Sequence, residues 1–281
     1  MPPASPPSAL TTGQMGGPAG EAQAALQSGD LAGAQAKLIA AVRAKPADAA
    51  LRVFLFQLFC VTGAYQRALA QASTAATLDP AAIPMAQTYR ALIQCEALRA
   101  KVFTGERTPT VFGDPEPWLS HLLQVLPTLA AGRPAEAAAL RDQAFADAPE
   151  LTGTLNGEAF SWIADADPRL GPVLEVMLEG RYVWVPFHRI RQISLEAPAD
   201  LRDRVWMPAT FTWTNGGEAV GFIPARYPGS EAAEPALALG RRTQWQDDET
   251  WPICTGQRML ATDLGEVALF DARDITTQLS V

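Results

Sequence analysis

Apolar residues in the first half of the chain recur at helical spacing, in short segments that Gly and Pro separate. Residues 21–44 place Leu31, Leu38 and further apolar side chains on one helical face and contain a break at Gly29. Residues 51–78 repeat this layout with a bulkier first segment. Because such spacing with an internal break is typical of two helices joined by a tight turn, the pattern predicts successive helical hairpins.

One 18-residue pattern occurs three times: a Gly, an Ala five positions on, an Ala twelve positions on and a Pro seventeen positions on. The copies are Gly29/Ala34/Ala41/Pro46, Gly63/Ala68/Ala75/Pro80 and Gly132/Ala137/Ala144/Pro149. The first two copies start 34 residues apart, which is the period of tetratricopeptide-like hairpins. Gly ends one helix in a left-handed conformation, Ala lets two helices approach closely, and Pro stops the second helix. One degenerate repeat, with a long helix over residues 85–103, fits between the second and third copies.

After Pro149 the pattern changes to short β-branched and aromatic runs. Residues 182–187 are apolar on both faces, and residues 208–213 alternate apolar with polar positions, which indicates strands. Asn215-Gly216-Gly217 and Asp263-Leu264-Gly265 supply the turn residues of two β-hairpins. The second half is therefore predicted to be mainly antiparallel β-structure.

Together these patterns predict an α+β protein. A tetratricopeptide-like helical-repeat domain is expected over residues 21–150, followed by a smaller, mainly antiparallel β domain over residues 151–281. Residues 1–20 are rich in Pro and Gly and have no charge before Glu21, so they are predicted to be a disordered tail without a signal peptide. Prolines and a glycine in residues 108–118 forbid a continuing helix there and predict a loop or the entry of a helix.

Composition narrows the classes of partner. The chain has 281 residues, of which 48% are hydrophobic and 19% charged, as in ordinary soluble proteins. Its formal charge is −8 and it has no basic run, which argues against nucleic acids and anionic membranes as partners. The most apolar long stretch, residues 53–66, covers only 14 residues and is too short to span a bilayer.

Few residues suggest cofactor or metal chemistry. Cys60, Cys95 and Cys254 are odd in number and widely spaced, which favours reduced core thiols in the cytoplasm. His121 and His188 have no partner at the spacing of a zinc site. Phosphate-binding loops, dinucleotide fingerprints and nucleophile elbows are absent from the sequence. We therefore expect no cofactor, no metal and no catalytic residue.

Asp165 and Asp167 form the carboxylate pair that most invites a catalytic interpretation. Two carboxylates in one cleft could divide the roles of acid and base, so a hydrolase is the alternative function. The same residues lie just before Pro168, where Asp commonly caps a helix or forms a turn, and Arg169 is close enough to be an ion-pair partner. We favour the structural interpretation, in which Asp165, Asp167 and Arg169 brace the junction between the domains.

Four aromatic residues of the first half are candidate anchors for a protein partner, because large rigid side chains carry much of the binding energy of interfaces. Tyr65 and Tyr89 are more simply explained as side chains that fill gaps between helices. Phe112 and Trp118 lie among prolines, where a surface position is more plausible.

The second half carries runs that resemble the ImpE family, also called TagJ or SciE. The most specific run is Trp162-Ile-Ala-Asp-Ala-Asp-Pro-Arg-Leu-Gly-Pro-Val-Leu-Glu175, and it is followed by Gly180-Arg-Tyr-Val-Trp-Val-Pro-Phe187. Further similar runs are Pro198-Ala-Asp-Leu-Arg-Asp-Arg-Val-Trp-Met-Pro208 and Pro224-Ala-Arg-Tyr-Pro-Gly-Ser-Glu231. In the first half, Leu26-Gln-Ser-Gly-Asp-Leu31 and Leu51-Arg-Val-Phe-Leu-Phe56 are also similar. The resemblance covers about residues 21–275.

This resemblance implies a non-enzymatic, cytoplasmic accessory protein of bacterial type VI secretion. Members of the family bind the N-terminal helix of the small subunit of the contractile sheath and are linked to the ClpV-type AAA+ ATPase that dismantles the sheath. A helical-repeat scaffold without catalytic parts agrees with this implication, because such scaffolds hold amphipathic helices in grooves. Residues 21–150 are therefore the expected binding region.

Overall fold

The computed structural model describes residues 17–246 and 251–279. Seven helices lie within residues 17–150. In chain order they are α1 (Pro18–Gln27), α2 (Leu31–Ala44), α3 (Ala49–Val61), α4 (Tyr65–Leu78), α5 (Ile83–Phe103), α6 (Pro117–Ala130) and α7 (Pro134–Asp147). A short helix, α8 (Pro235–Ala238), and three 3-10 turns at Pro80–Ala82, Phe187–Arg189 and Ser230–Ala232 complete the helical elements of the described residues.

Each copy of the Gly/Ala/Pro pattern forms the turn and second helix of a hairpin. Gly29, Gly63 and Gly132 have φ angles of 86°, 67° and 72°, in the left-handed region that favours glycine. The helices α2, α4 and α7 begin two residues later, and all six alanines of the pattern are at most 4% exposed. Each proline stands two residues beyond its helix. The predicted hairpins are confirmed, and α5 is the predicted long helix.

The described residues form fourteen strands, and thirteen of them follow residue 150. They are β1 (Thr110–Val111), β2 (Leu151–Leu155), β3 (Glu158–Phe160), β4 (Ile163–Asp165), β5 (Val173–Leu178), β6 (Arg181–Pro186), β7 (Ile190–Leu195), β8 (Trp206–Trp213), β9 (Glu218–Pro224), β10 (Thr243–Gln246), β11 (Ile253–Gly256), β12 (Met259–Thr262), β13 (Gly265–Ala268) and β14 (Asp274–Leu279). The strands predicted over residues 182–187 and 208–213 are β6 and β8, and the turn after Asn215 leads into β9.

The strands form one large sheet and two small ones. The large sheet has the order β1-β6-β5-β9-β8-β7-β14-β2-β3, and its pairs are antiparallel except for the parallel pair of β1 and β6. One small sheet has the order β13-β12-β4, and β10 pairs with β11. The predicted α+β class with a mainly antiparallel second half is confirmed. The exception, β1, lies in the segment predicted as a loop.

Two apolar cores pack against opposite faces of the large sheet. Along β5, Val173 and Met177 join the core that the helices build, whereas Leu174, Val176 and Leu178 join the second core. Both faces of this strand are therefore buried, which explains why its sequence is almost continuously apolar. The first core joins the helices and the sheet, so the two predicted domains share buried surface.

Arginines of the second half bind the carbonyl ends of helices in the first half. Arg226 Nη1 donates to the carbonyl of Val61 at the end of α3 (2.8 Å), and Arg241 Nη2 donates to Leu26 O at the end of α1 (2.6 Å). The last carbonyls of a helix have no partner within it and carry its negative dipole end, so a guanidinium stabilises them. These bonds fix the helical layer to the segment of the chain between β9 and β14.

The start of the chain differs slightly from the expectation. Helix α1 begins at Pro18, inside the tail predicted over residues 1–20, because proline is well suited to the first helical position. The rest of that tail prediction concerns residues 1–16, which lie outside the described residues. No helix in the described ranges combines the length and the apolar character needed to cross a bilayer.

Candidate functional site

The segment before β5 folds as a tight turn around Asp165, Asp167 and Arg169. Asp165 Oδ1 accepts a hydrogen bond from the backbone N–H of Asp167 (2.9 Å), and Asp167 Oδ1 accepts one from that of Arg169 (2.9 Å). The Arg169 guanidinium donates to Asp167 Oδ2 at 2.5 Å. The same guanidinium lies 4.9 Å from the centre of the Phe103 ring at the end of α5. The structure therefore brings the three residues together and against a helix of the first half.

Asp165 belongs to a larger ion cluster, which we define as Arg99, Asp165, Glu175 and Arg258. Arg258 binds Asp165 Oδ2 through Nη1 and Glu175 Oε2 through Nη2. Arg99, on α5, donates to Glu175 through Nε (2.7 Å) and Nη2 (2.9 Å). All four side chains are at most 5% exposed. The ion cluster thus connects α5 to β4 and β5 through two cations and two anions.

Burial acts on the two carboxylates with opposite results. Desolvation, with a smaller contribution from the Asp167 charge, raises the pKa of Asp165 to about 6 against the attraction of Arg258. Desolvation also disfavours the charge of Glu175, but Arg99 and Arg258 outweigh it and hold the pKa of Glu175 at about 2. Glu175 has two arginine partners and an additional hydrogen bond from the Tyr182 hydroxyl at 2.5 Å, so its charged form is the better stabilised.

The ion cluster has the features of a brace. Both oxygens of Asp165 accept hydrogen bonds, from Tyr227 (3.1 Å), the Asp167 backbone and Arg258. Neither Asp165 nor Asp167 lines either of the two surface cavities described below. A hydrolase would need one of these carboxylates within reach of a substrate or its water. The arrangement therefore supports the structural interpretation of the pair.

An open apolar cavity lies at the junction of the two halves, next to this turn. We call it the junction groove; its volume is about 370 Å³. It is lined by Trp118, Phe145, Ala148, Pro149, Glu150, Leu151, Ser161, Trp162, Ile163, Ala164, Pro172 and His188. Helices α6 and α7 supply one side, and the segment around β4 supplies the other. A second cavity, lined by Thr, Gln, Arg191 and Phe160 over β2, β3, β7 and β14, is mainly polar.

Two aromatic side chains at the junction groove remain open to solvent. Phe145 on α7 is 37% exposed, and Trp162 before β4 is 46% exposed. The Phe145 ring lies against Gly171, where an added Cβ would stand 2.0 Å from its Cζ atom. Trp118 is only 3% exposed and forms the buried side of the groove. Exposed large apolar groups gathered in a concavity are typical of protein-binding surfaces.

A polar cluster closes the end of the junction groove near Trp118. The Trp118 indole N–H donates to Glu116 Oε2 (2.8 Å), and His188 Nε2 lies 2.9 Å from Glu116 Oε1. Arg189 donates to the same oxygen through Nε at 3.1 Å. Burial opposes the charge of Glu116, but the bonds from Trp118 and Arg189 outweigh it and lower its pKa. Burial also lowers the pKa of His188, which favours the neutral ring.

The four aromatic residues predicted as anchors are all in contact with the protein itself. Tyr65 and Tyr89 lie 6.2 and 5.8 Å from the Trp206 ring of β8, between the helices and the sheet. The half-buried Phe112 lies 4.4 Å from the Trp213 ring. The surface position expected for Trp118 is wrong, because its side chain packs under the junction groove and its N–H is bound by Glu116. A binding role for these four residues stays a prediction.

Several residues of the ion cluster and of the junction groove were not identified from the sequence. Glu175 is a lone charge in the apolar run Val173–Leu178, and such a residue in a buried strand requires a partner, so this signal was available. Its partners Arg99 and Arg258 are 76 and 83 residues away in the chain, and no local pattern connects them. Phe145 and Trp162 carried no signal of exposure, because each lies beside apolar or small residues that also suit a core.

Comparisons with known proteins agree with this architecture. A family model described as ImpE protein matches residues 157–276. The type VI secretion system accessory component TagJ of Pseudomonas aeruginosa is 47% identical over 255 residues, which cover 90% of each chain. The crystal structure of the protein VPA1032 from Vibrio parahaemolyticus superposes with a TM-score of 0.83 at 27% identity, over 93% of this chain and 98% of that one. On the strength of the family match and of a relative similar over nearly its full length, the chain belongs to the ImpE family.

Proposed function

We propose that this chain is a non-enzymatic accessory protein of type VI secretion. The observation that carries the proposal is its 47% identity to a type VI secretion accessory component over 90% of both chains. The saturated hydrogen bonds of Asp165 and Asp167 support the non-enzymatic part, because these carboxylates were the best catalytic candidates in the sequence. The acidic net charge of −8 supports proteins as partners in preference to nucleic acid or membrane surfaces.

The proposed partner is the N-terminal helix of the small subunit of the contractile sheath. Family resemblance suggests this partner, and the open apolar junction groove supports it, because an amphipathic helix buries its apolar face in such a groove. Through the sheath subunit, the protein would be linked to the ClpV-type AAA+ ATPase that dismantles contracted sheaths. Its proposed location is the cytoplasm, and the three buried free cysteines support a reducing compartment.

Isothermal titration of the full-length chain with a synthetic peptide of the first 25 or so residues of the small sheath subunit tests this proposal. We expect saturable binding with one peptide per chain. A matched peptide with its apolar face changed to serine should not bind, because the buried apolar area provides the driving force. Absence of binding by the unmodified peptide, or equal binding by both peptides, would contradict the proposed partner.

A second measurement tests the link to the ATPase. We expect the immobilised full-length chain to retain purified ClpV-type ATPase when the small sheath subunit is present. Retention that is the same with and without the sheath subunit would show direct contact with the ATPase. No retention in either case would contradict the proposed link and would leave the sheath proposal to the titration.

A further inference from the structure

The helical layer covers only one end of the large sheet. Side chains of β5, β6, β8 and β9 join the core that the helices build, whereas within the described residues β7, β14, β2 and β3 contribute none to it. On the strands β2, β7 and β14, the face turned away from the second core carries the polar side chains of Thr152, Thr154, Gln192, Thr276 and Gln278. This uncovered part of the sheet lines the second, polar cavity, whose volume is about 570 Å³.

A β-bulge in β7 adds an arginine to this polar face. The pairing of β7 with β8 shifts between Ile190 and Gln192. Ile190 and Ile193 are both 0% exposed and both belong to the second core, so two residues, Arg191 and Gln192, stand between them on the polar side. Regular alternation would send one of these two side chains into the core. The bulge therefore places a guanidinium and an amide next to each other, and bulges commonly re-aim side chains in this way beside functional sites.

The polar groups of this face form two neighbouring rows across the strands. Gln192 lies opposite Thr276, and Thr276 lies opposite Thr154. The Oγ1 atoms of Thr154 and Thr276 are 2.7 Å apart. In the next row, Gln278 Nε2 donates to Thr152 Oγ1 at 3.4 Å. Because each hydroxyl and amide has more than one bonding position, the two rows can also donate to and accept from a ligand.

The charges of the cavity favour a ligand with a single negative charge. The exposed Arg191 side chain has no ion pair or hydrogen bond with the part of the chain that the structure describes. Asp274 stands on the same face, and its Oδ1 accepts from Gln192 Nε2 at 2.6 Å. A dianion would meet only one free cation beside this carboxylate, so a monoanion is the better complement. Phe160 also lines the cavity but is 4% exposed, so an apolar ligand would bury little surface here.

We propose that the polar cavity binds a polyhydroxylated monocarboxylate, of the sugar-acid class, through Thr152, Thr154, Arg191, Gln192, Thr276 and Gln278. Arg191 holds the acid group, because a guanidinium binds a carboxylate through two parallel hydrogen bonds. The threonine hydroxyls and the glutamine amides bind the ring hydroxyls of the ligand. The cavity is open to the surface, so the same chemistry accepts a free sugar acid or the acid residue of a longer saccharide.

Saturation-transfer NMR of the full-length chain with glucuronate and with glucose tests the ligand class. The two sugars share their ring and differ in the carboxylate. We expect saturable transfer to glucuronate and binding of glucose that is at least about tenfold weaker, because glucose lacks the charge-assisted bonds to Arg191. No saturable transfer to glucuronate, or equal affinity for the two sugars, would overturn the proposal.

Variants of the full-length chain locate the binding. Arg191→Gln should weaken glucuronate binding about tenfold, and Thr276→Val, which keeps the shape of the side chain and removes its hydroxyl, should weaken it about threefold. The matched control is Arg43→Gln, which removes an exposed arginine of α2 and should leave the affinity unchanged. Glucuronate binding that survives Arg191→Gln, or that is weakened equally by Arg43→Gln, would overturn the site.

A hyaluronan tetrasaccharide, which carries glucuronate within a chain, separates the two sources of the ligand. Tighter binding than that of free glucuronate, lost in Arg191→Gln, would support a longer saccharide as the source. Equal or weaker binding would support the free acid. These outcomes are independent of the proposed sheath partner, because the polar cavity and the junction groove share no lining residue.

Discussion

The ion cluster and the junction groove each take a residue from the same short segment before β5, yet the two side chains are in opposite situations. Asp165 is 3% exposed, and both of its carboxylate oxygens accept hydrogen bonds. Three residues earlier, Trp162 is 46% exposed. The charged groups of the ion cluster are paired within the chain, whereas the groove still exposes apolar surface to solvent. The charged groups of this segment therefore serve the fold, whereas the Trp162 ring remains exposed.

The largest effect should follow from removing one charge of the ion cluster. Glu175→Gln leaves Arg99 and Arg258 buried without their shared anion, so we expect a loss of about 3–5 kcal/mol in the free energy of unfolding. Urea denaturation measures this loss. In the control Glu179→Gln, an exposed ion pair with Arg181 is broken, and the change should stay under about 1 kcal/mol. Equal losses of stability in Glu175→Gln and Glu179→Gln would contradict the expected difference between a buried and an exposed ion pair.

The pH dependence of stability should separate the two carboxylates of the ion cluster. The pKa of Asp165 is about 6 in the folded chain against an ordinary 3.8, so its contribution is fully present below the unfolded pKa and is lost as pH rises through 6. Stability should therefore decrease by about 3 kcal/mol from this group between pH 3 and pH 8. Glu175 acts in the opposite direction: its contribution is present above pH 4.5 and is lost as pH falls towards 2.

Asp165→Asn provides the measurement for this dependence. Denaturant titrations at several pH values should show a difference between the parent and the variant that changes with pH between 4 and 7. The variant should be less stable than the parent at pH 4, and its deficit should shrink as pH rises to 7, because only the parent loses stability through the ionisation of Asp165. Its partner binding should remain intact, because Asp165 lies outside the groove lining. A variant that keeps its stability but loses a measurable turnover would favour the hydrolase alternative.

A smaller loss is expected within the helical half. Ala68 on α4 is 0% exposed, at a close helix crossing, so Ala68→Leu should overpack the crossing by about 1–3 kcal/mol. Ala70 lies on the exposed face of the same helix, and Ala70→Leu serves as control. Thermal melts of the two variants compare them directly. Unchanged melting temperatures for Ala68→Leu would argue against the close crossing that the repeat pattern predicts.

The smallest stability effect should occur in the junction groove itself. Trp162→Ala removes a half-exposed ring, so the free energy of unfolding should change by less than about 1 kcal/mol. Under the proposed function, Trp162→Ala should also weaken the binding of the sheath peptide, whereas Asp165→Asn should leave that binding unchanged. A loss of stability as large as that of Glu175→Gln would mean that Trp162 supports the fold, and the comparison between the two regions would fail.

The repeat architecture was predictable because its signals are local. Ala68 acts within its own helix, and Gly63 and Pro80 act on the helix that they flank. Their spacing therefore indicates a hairpin without knowledge of the rest of the chain. The pairing of β1 with β6 was not predictable in this way. Thr110 pairs with Val183, and a strand of two residues has no periodicity of its own. Its formation depends on a sheet edge that only the folded second half provides.

The same limit applies to the candidate sites. Asp167 and Arg169 are two residues apart, and their ion pair could be proposed from spacing alone. Arg258 reaches Asp165 across 93 residues, and Tyr65 reaches Trp206 through the packing of helices on the sheet. Phe145 and Trp162 come from distant parts of the chain and meet only in the lining of the junction groove. These features are set by tertiary packing, which a single sequence does not display.

The arginine contacts at the helix ends also constrain the order in which the chain matures. Arg241 lies 215 residues after Leu26, whose carbonyl it binds, so the end of α1 stays without this partner until most of the chain has left the ribosome. Contacts between such distant residues form late because a long loop must close first. The nascent helical half therefore emerges with the side of its repeats that carries Tyr65 and Tyr89 uncovered. Until β8 and Arg241 are synthesised, the apolar surface that they cover is open to contact with other chains.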